Sequence, residues 1–191
     1  MQRRLFIAAT TAVIVVSALP AAAAEQKALE LFGVPLKGAT RDQLREAFKQ
    51  NGLRATREEN NYWADTYNAQ GVLDGASDFQ AGYVAATGKF AYARYTFPGF
   101  MNTQLVGKVI NMVVTKYGRP SSENGSYGLG EVTAKWNMGQ GMQVEVSRGW
   151  PDTTTYLSFT DSGAYKQMLA EIDAEKKAQA AQQVKAQSKA F

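Results

Sequence analysis

The chain has 191 residues, of which 45% are hydrophobic, 11% aromatic and 20% charged; its formal net charge is +4, and it contains neither Cys nor His. This is the balance of a globular protein rather than a disordered one. The missing residue types exclude disulfides, Cys-ligated zinc, iron–sulfur clusters, thiol nucleophiles and bacterial lipid attachment, and with the commonest general base also gone most hydrolase and metalloenzyme mechanisms fall.

The N-terminus reads as an export signal over residues 1–24. Arg3 and Arg4 supply its charged part, Leu5 to Leu19 its apolar part, and Pro20 followed by Ala21 to Ala24 the small-residue cleavage site. The apolar stretch falls short of the roughly 20 residues a bilayer span needs. The expected product is therefore residues 25–191, periplasmic or secreted after cleavage near Ala24, with no membrane span. Arg3-Arg4-Leu5-Phe6-Ile7 also fits a twin-arginine export motif. Two positive charges leave with the signal, those of residues 25–165 cancel, and the remaining excess sits in residues 166–191. A folded part without a basic excess argues against nucleic acid as a partner.

The first helix is expected within Leu36 to Gly52. Thr40-Arg41-Asp42-Gln43 matches a capping box, Leu44, Ala47 and Phe48 make one apolar stripe, and Asn51-Gly52 is a stop. A strand pair over Leu53 to Arg57 and Tyr62 to Tyr67 follows, then a loop over Asn68 to Asp78. Phe79, Ala81, Tyr83 and Ala85 alternate, and Lys89 to Phe97 continues after a Thr87-Gly88 turn, which predicts a hairpin. A second helix over Asn102 to Tyr117, capped by Asn102, carries Leu105, Val106, Val109, Ile110, Val113, Val114 and Tyr117 on a wide apolar face and stops at Gly118-Arg119-Pro120. Three alternating runs then predict an antiparallel meander with one apolar and one polar face: Val132-Ala134-Trp136, Met142-Val144-Val146 and Thr155-Leu157-Phe159. From Asp161 a third helix with Tyr165, Met168, Leu169 and Ile172 is expected. Beyond Asp173 the Ala, Gln and Lys composition has no apolar stripe, so the rest of 166–191 reads as a frayed or disordered tail.

The result is an α+β domain over residues 25–165, an antiparallel meander packed on one or two core helices. The two helices align by their stops: Phe48 and Val114 each lie four residues before a Gly, and each helix is followed by a Trp and a meander. This spacing is compatible with two half-repeats, 31–98 and 99–165, of an α-β-β-β unit.

No glycine motif has phosphate-binding spacing: Thr87-Gly88-Lys89 and Gly128-Leu129-Gly130 read as hairpin turns. Carboxylate pairs are the catalytic chemistry left. Glu58, Glu59, Asp65, Asp74 and Asp78 gather near Tyr62, Trp63 and Tyr67, a composition that suits a carbohydrate- or peptidoglycan-binding surface or a carboxylate glycosidase. Against this, Glu58 and Glu59 should face opposite sides of a strand, and the cluster reads more simply as solvated loop charges. Trp136 belongs to the core, whereas Trp63 is either a core cover or a surface anchor, and Trp150, beside Pro151 in a turn, is the Trp expected to be most exposed. Candidate binding residues are thus Tyr62, Trp63, Tyr67 and Trp150, with Lys135, Gln143, Glu145 and Tyr156 on the polar face of the meander. No metal ligands, no cofactor and no catalytic residues are assigned.

Leu36-Lys37-Gly38-Ala39-Thr40 leading into a short helix that ends at Gly52 resembles the start of the small envelope modules of the SmpA/BamE and β-lactamase-inhibitor-protein type. Lys116-Tyr117-Gly118-Arg119-Pro120, then Trp136 and a polar-faced meander ending at Leu157 to Asp161, is similar to a second copy. The resemblance implies a non-catalytic protein that binds another protein, either of the envelope or an incoming toxin or enzyme. The absent lipid-attachment Cys departs from the lipoprotein branch of that class.

Overall fold

Two helix-then-meander runs account for most of the chain. A computed structural model describes residues 28–188; the expected signal segment and its cleavage site lie outside the described residues. The first run follows a small hairpin, β1 (Glu30–Leu31) and β2 (Val34–Pro35), and comprises α1 (Arg41–Gln50), β3 (Arg54–Arg57), β4 (Ala64–Asn68), β5 (Asp78–Tyr83) and β6 (Phe90–Phe97). The second comprises α2 (Leu105–Tyr117), β7 (Ser122–Gly125), β8 (Val132–Asn137), β9 (Met142–Arg148) and β10 (Thr155–Asp161), and α3 (Ser162–Gln187) closes the chain. Each half therefore carries four strands, one more than the unit expected from the sequence. The additional strand in the second half is β7, whose Ser-Glu-Asn-Gly sequence is fully exposed and has no apolar alternation to announce it.

The eight strands form one antiparallel sheet in the order β3-β4-β5-β6-β10-β9-β8-β7. The halves join where β6 pairs with β10, from Phe97 opposite Thr155 to Tyr92 opposite Thr160. With side chains alternating across the pleat, Phe79, Ala81, Tyr95, Phe97, Leu157, Phe159, Val144, Val146, Ala134 and Trp136 all face one way into a shared core. α1 covers the first half of that face, its Phe48 ring edge-on to Tyr67 at 5.3 Å and to Phe79 at 5.0 Å. α2 covers the second half with Val106, Val109, Ile110 and Val113. The Thr40 capping box is present with both of its hydrogen bonds. The cap of α2 differs from expectation: the helix starts at Leu105 behind Gln104, and Asn102 instead accepts a hydrogen bond from the Gln104 amide in the preceding turn, at 3.1 Å.

Three charged residues are buried among the described residues: Asp65, Arg148 and, at the end of β10, Asp161. Asp65 on β4 is fully buried and receives both guanidinium groups of α1, Arg41 at 2.7 Å and Arg45 at 2.8 Å. Burial alone would raise the Asp65 carboxyl, but the hydrogen bonds from Arg45 and Arg41 overcome that and hold it below the usual carboxylate range. Arg41 also donates to the carbonyls of Glu59 and Tyr62, so one cluster fixes α1, the sheet and the β3–β4 loop together. The expectation of solvated loop charges is wrong for Asp65. The second buried charge is Arg148, whose guanidinium donates to the carbonyls of Thr103, Ser126, Tyr127 and Gly130 at 2.7–3.2 Å and so pins the β7–β8 loop to the approach of α2.

α3 lies on the opposite, polar face. Asp161 caps it, one carboxylate oxygen accepting from the Gly163 and Ala164 amides and the other pairing with Lys37 at 2.7 Å. A register shift between Gly82 and Tyr83 leaves Ala91 as an extra residue, so Ala91 and Tyr92 both turn toward α3 and pack with Val84, Met168 and Tyr165. Tyr92 meets the Tyr165 ring edge-on at 5.4 Å and lies across Gly82, where a Cβ would come within 2.0 Å of the Tyr92 ring. Only glycine fits beneath that ring. Contrary to the frayed tail expected from its composition, α3 continues unbroken to Gln187. Strong helix formers and spaced pairs such as Lys177 with Asp173, at 2.7 Å, sustain it without an apolar stripe.

Trp136 is 2% exposed and its indole donates to the Gly118 carbonyl at 2.8 Å, so Trp136→Ala is expected to cost about 3 to 5 kcal/mol. Trp150 is 49% exposed, and its Ala variant should fall within about 0.5 kcal/mol of the parent in the same urea melts. Asp65→Asn should cost about 3 to 5 kcal/mol at pH 7, because it strips a buried charge from two guanidinium groups. Since the folded pKa is lowered, the stabilisation is present above the unfolded value of about 3.9 and is lost as pH falls through the folded value. The gap between parent and Asp65→Asn should therefore narrow below about pH 4, as urea midpoints at pH 7 and pH 3 would show.

Candidate binding face

α1 and α2 leave the polar face of the sheet open. α3 crosses only one end of it, over β5, β6 and β10. Beyond α3, the outward residues of β6, β10, β9 and β8 come into view: Arg94 and Thr96, Tyr156 and Ser158, Gln143, Glu145 and Ser147, Thr133 and Lys135. Their order across the face follows from the register, which puts Arg94 opposite Ser158, Ser158 opposite Glu145, and Glu145 opposite Lys135. Lys135 and Glu145 form a cross-strand ion pair at 3.1 Å. The Arg94 guanidinium lies over the Tyr156 ring, 5.1 Å from its centroid. Between this face and the side of α3 runs a groove of about 590 Å³. Arg94, Glu145 and Gln143 form its floor, and Tyr165, Lys166 and Leu169 form its helical wall.

Four of the eight residues singled out from the sequence come together here: Lys135, Gln143, Glu145 and Tyr156. The other four do not. Tyr67 is 1% exposed and sits between Phe48 and Phe79, where burial pushes its phenol up, so its assignment to a binding surface is wrong. It points to the same face as Asp65, two positions away on one strand. Trp63 is half-buried against the Val84, Ala91 and Met168 cluster, and its indole donates to Glu175 of α3 at 3.1 Å. Its role is to seat α3, which resolves the choice between core cover and surface anchor in favour of the cover. Tyr62 is exposed, but its ring lies 4.2 Å from the Arg57 guanidinium, away from the groove. Trp150 is exposed in the turn between β9 and β10.

The carboxylate cluster also disperses. Glu58 and Glu59 lie in the loop after β3, not on a strand, and both are exposed. Asp65 is held by two arginines, a state that deprives it of any role as a proton donor at neutral pH. Among the described residues no group of three or more Asp, Glu, His or Cys is placed to hold a metal ion. No helix among them is long and apolar enough to cross a membrane.

Sequence reasoning missed Arg94 and Lys166. Arg94 sits at a polar position of β6, and the available signal was the alternation Phe90 to Phe97, which places it opposite the core residues Ala93 and Tyr95. Lys166 becomes part of the groove only because α3 folds back across the sheet.

The chain matches no family model and no curated protein. Among solved structures it is similar to a DUF4309 family protein, YjgB, from Bacillus subtilis subsp. subtilis str. 168, at 17% identity and a TM-score of 0.40, covering 67% of this chain and 82% of that one.

Proposed function

We propose that the protein is a non-catalytic binding module of the bacterial cell envelope that holds another polypeptide on the open polar face of its sheet. The observation that carries this reading is the groove of about 590 Å³ between α3 and the sheet, flanked by the stacked pair Arg94 and Tyr156. Arg and Tyr are the side chains that most often anchor protein interfaces, because each buries a large area and keeps a polar tip for a hydrogen bond. Here they are mounted on central strands rather than on loops, so little ordering entropy is lost on docking. Arg94, Lys135 and Lys166 outnumber Glu145 on this surface, which favours an acidic partner surface. The clamping of Asp65 argues against the carboxylate glycosidase, and the engagement of Trp63 by α3 removes the platform on which a sugar ring would have stacked. An inhibitor or immunity protein acting on an enzyme differs from this reading only in which polypeptide fills the groove.

Site-specific photocrosslinking tests it. A photoreactive residue at Tyr156 or Glu145 should trap one polypeptide in cells exporting the protein, and the same residue at Thr115, exposed on the helical side, should not. In reconstitution with the trapped polypeptide, Arg94→Glu should weaken binding on the order of thirtyfold while leaving the thermal midpoint unchanged. Crosslinks confined to Thr115, or binding indifferent to Arg94→Glu, would place the interface elsewhere.

A further inference from the structure

The helical side of the sheet contains a second concavity, of different chemistry. α1 sits on β4 and β5 through Phe48, and α2 sits on β8, β9 and β10, so neither helix fully covers the strands where the two halves meet. Above that seam the roof is the β1–β2 turn. The result is an apolar crevice of about 360 Å³ lined by Leu31, Phe32, Tyr95, Val113, Leu157 and Phe159. That volume lies within the range of small-molecule sites, which are concave, mainly apolar and furnished with few polar groups.

Three of its lining residues carry polar groups, and two of them, Lys116 and Tyr117, donate to the Glu30 carbonyl at 3.5 Å. Tyr95 is 3% exposed, its ring packs 4.5 Å from Phe79, and no described residue shares a hydrogen bond with its hydroxyl. Unlike the hydroxyls of Tyr67 and Tyr83, which are sealed in the core without a partner, that of Tyr95 is not cut off from solvent. Since Tyr95 lines the crevice, its hydroxyl is a donor available to whatever fills it.

We propose that the crevice binds a small, predominantly apolar molecule carrying one hydrogen-bond-accepting oxygen. Its apolar body packs on Leu157, Phe159 and Val113, and its oxygen accepts from the Tyr95 hydroxyl. The site lies on the face of the sheet opposite the groove between α3 and the sheet, and it stands independently of the polypeptide-binding reading. A ligand here touches both halves of the sheet and the β1–β2 turn at once, so it binds the folded state alone and raises the thermal midpoint.

Two probes of matched shape test the proposal on the purified protein: 2-acetylnaphthalene, which has the accepting oxygen, and 2-isopropylnaphthalene, which lacks it. Equilibrium dialysis should show saturable binding of both at a single site. In Tyr95→Phe the affinity ratio of the acetyl to the isopropyl compound should drop roughly three- to tenfold, the value of one neutral hydrogen bond, with the isopropyl affinity held. Val113→Phe fills the crevice and should abolish binding of both. If that variant does not fold, Met112→Trp, at a 37% exposed residue lining the same crevice, replaces it and should have the same effect. Absence of saturable binding, an affinity ratio unchanged in Tyr95→Phe, or binding that survives a folded filling variant would each overturn the proposal.

Discussion

The pairing of β6 with β10 is the constraint on which the rest of the molecule depends. Each meander alone would present a four-stranded sheet with an open edge, and an exposed central edge invites pairing with other chains. Joined from Tyr92 to Phe97, the two meanders become a single sheet broad enough to carry helices on one face and leave the other largely free. The groove and the apolar crevice are both consequences of that seam. On the helical side, α1 and α2 are centred on their own halves and leave the apolar crevice above the junction. On the polar side, α3 leaves the end of β10, crosses β6 and β5, and creates the groove against β9 and β10.

Charge holds this arrangement in register at points where hydrophobic packing alone would permit sliding. Asp65 with Arg41 and Arg45 ties α1 to the first half, and Arg148 with its ring of carbonyls ties the β7–β8 loop to the start of α2. Asp161 does two tasks with two oxygens, capping α3 and holding Lys37 on the other side of the chain. Removing Asp65 leaves Arg41 and Arg45, both largely buried, without their carboxylate. For that reason these contacts bear more on the specificity of the fold than their net energies suggest.

Much of the fold was legible in the sequence because it rests on short-range patterns. The Thr40 box, the stop at Gly52, the apolar stripe of α2 and the three alternating strands after Val132 are local, and each forms where its residues place it. The same alternation correctly put Lys135, Gln143, Glu145 and Tyr156 on one polar face. It misled at Tyr67, because an aromatic between polar neighbours has the composition of a binding surface and the parity of a core position. It missed β7, whose polar residues pair along the backbone with β8. The short α2 cap and the long α3 were misread for related reasons. Capping side chains compete with alternative turns, and helix propensity summed over many residues sustains a helix that has no apolar face.

The sequence by itself determined the two helix-and-meander runs, the apolar and polar faces of β8, β9 and β10, and the absence of thiol and imidazole chemistry. Only the tertiary structure decided which strands meet, where α3 lies, and what the buried charges pair with. The difference is one of range: periodicity of 3.6 or 2 residues is set by backbone geometry within a single element. The partners of Asp65 lie 20 and 24 residues away and that of Trp63 lies 112 away, separations that the pattern of one segment does not encode. Arg148 shows the same limit most plainly. It occupies an inward position on an apolar strand face, where a charge is costly, and only the folded β7–β8 loop, with three carbonyls, and Thr103 ahead of α2, with a fourth, make that position tenable.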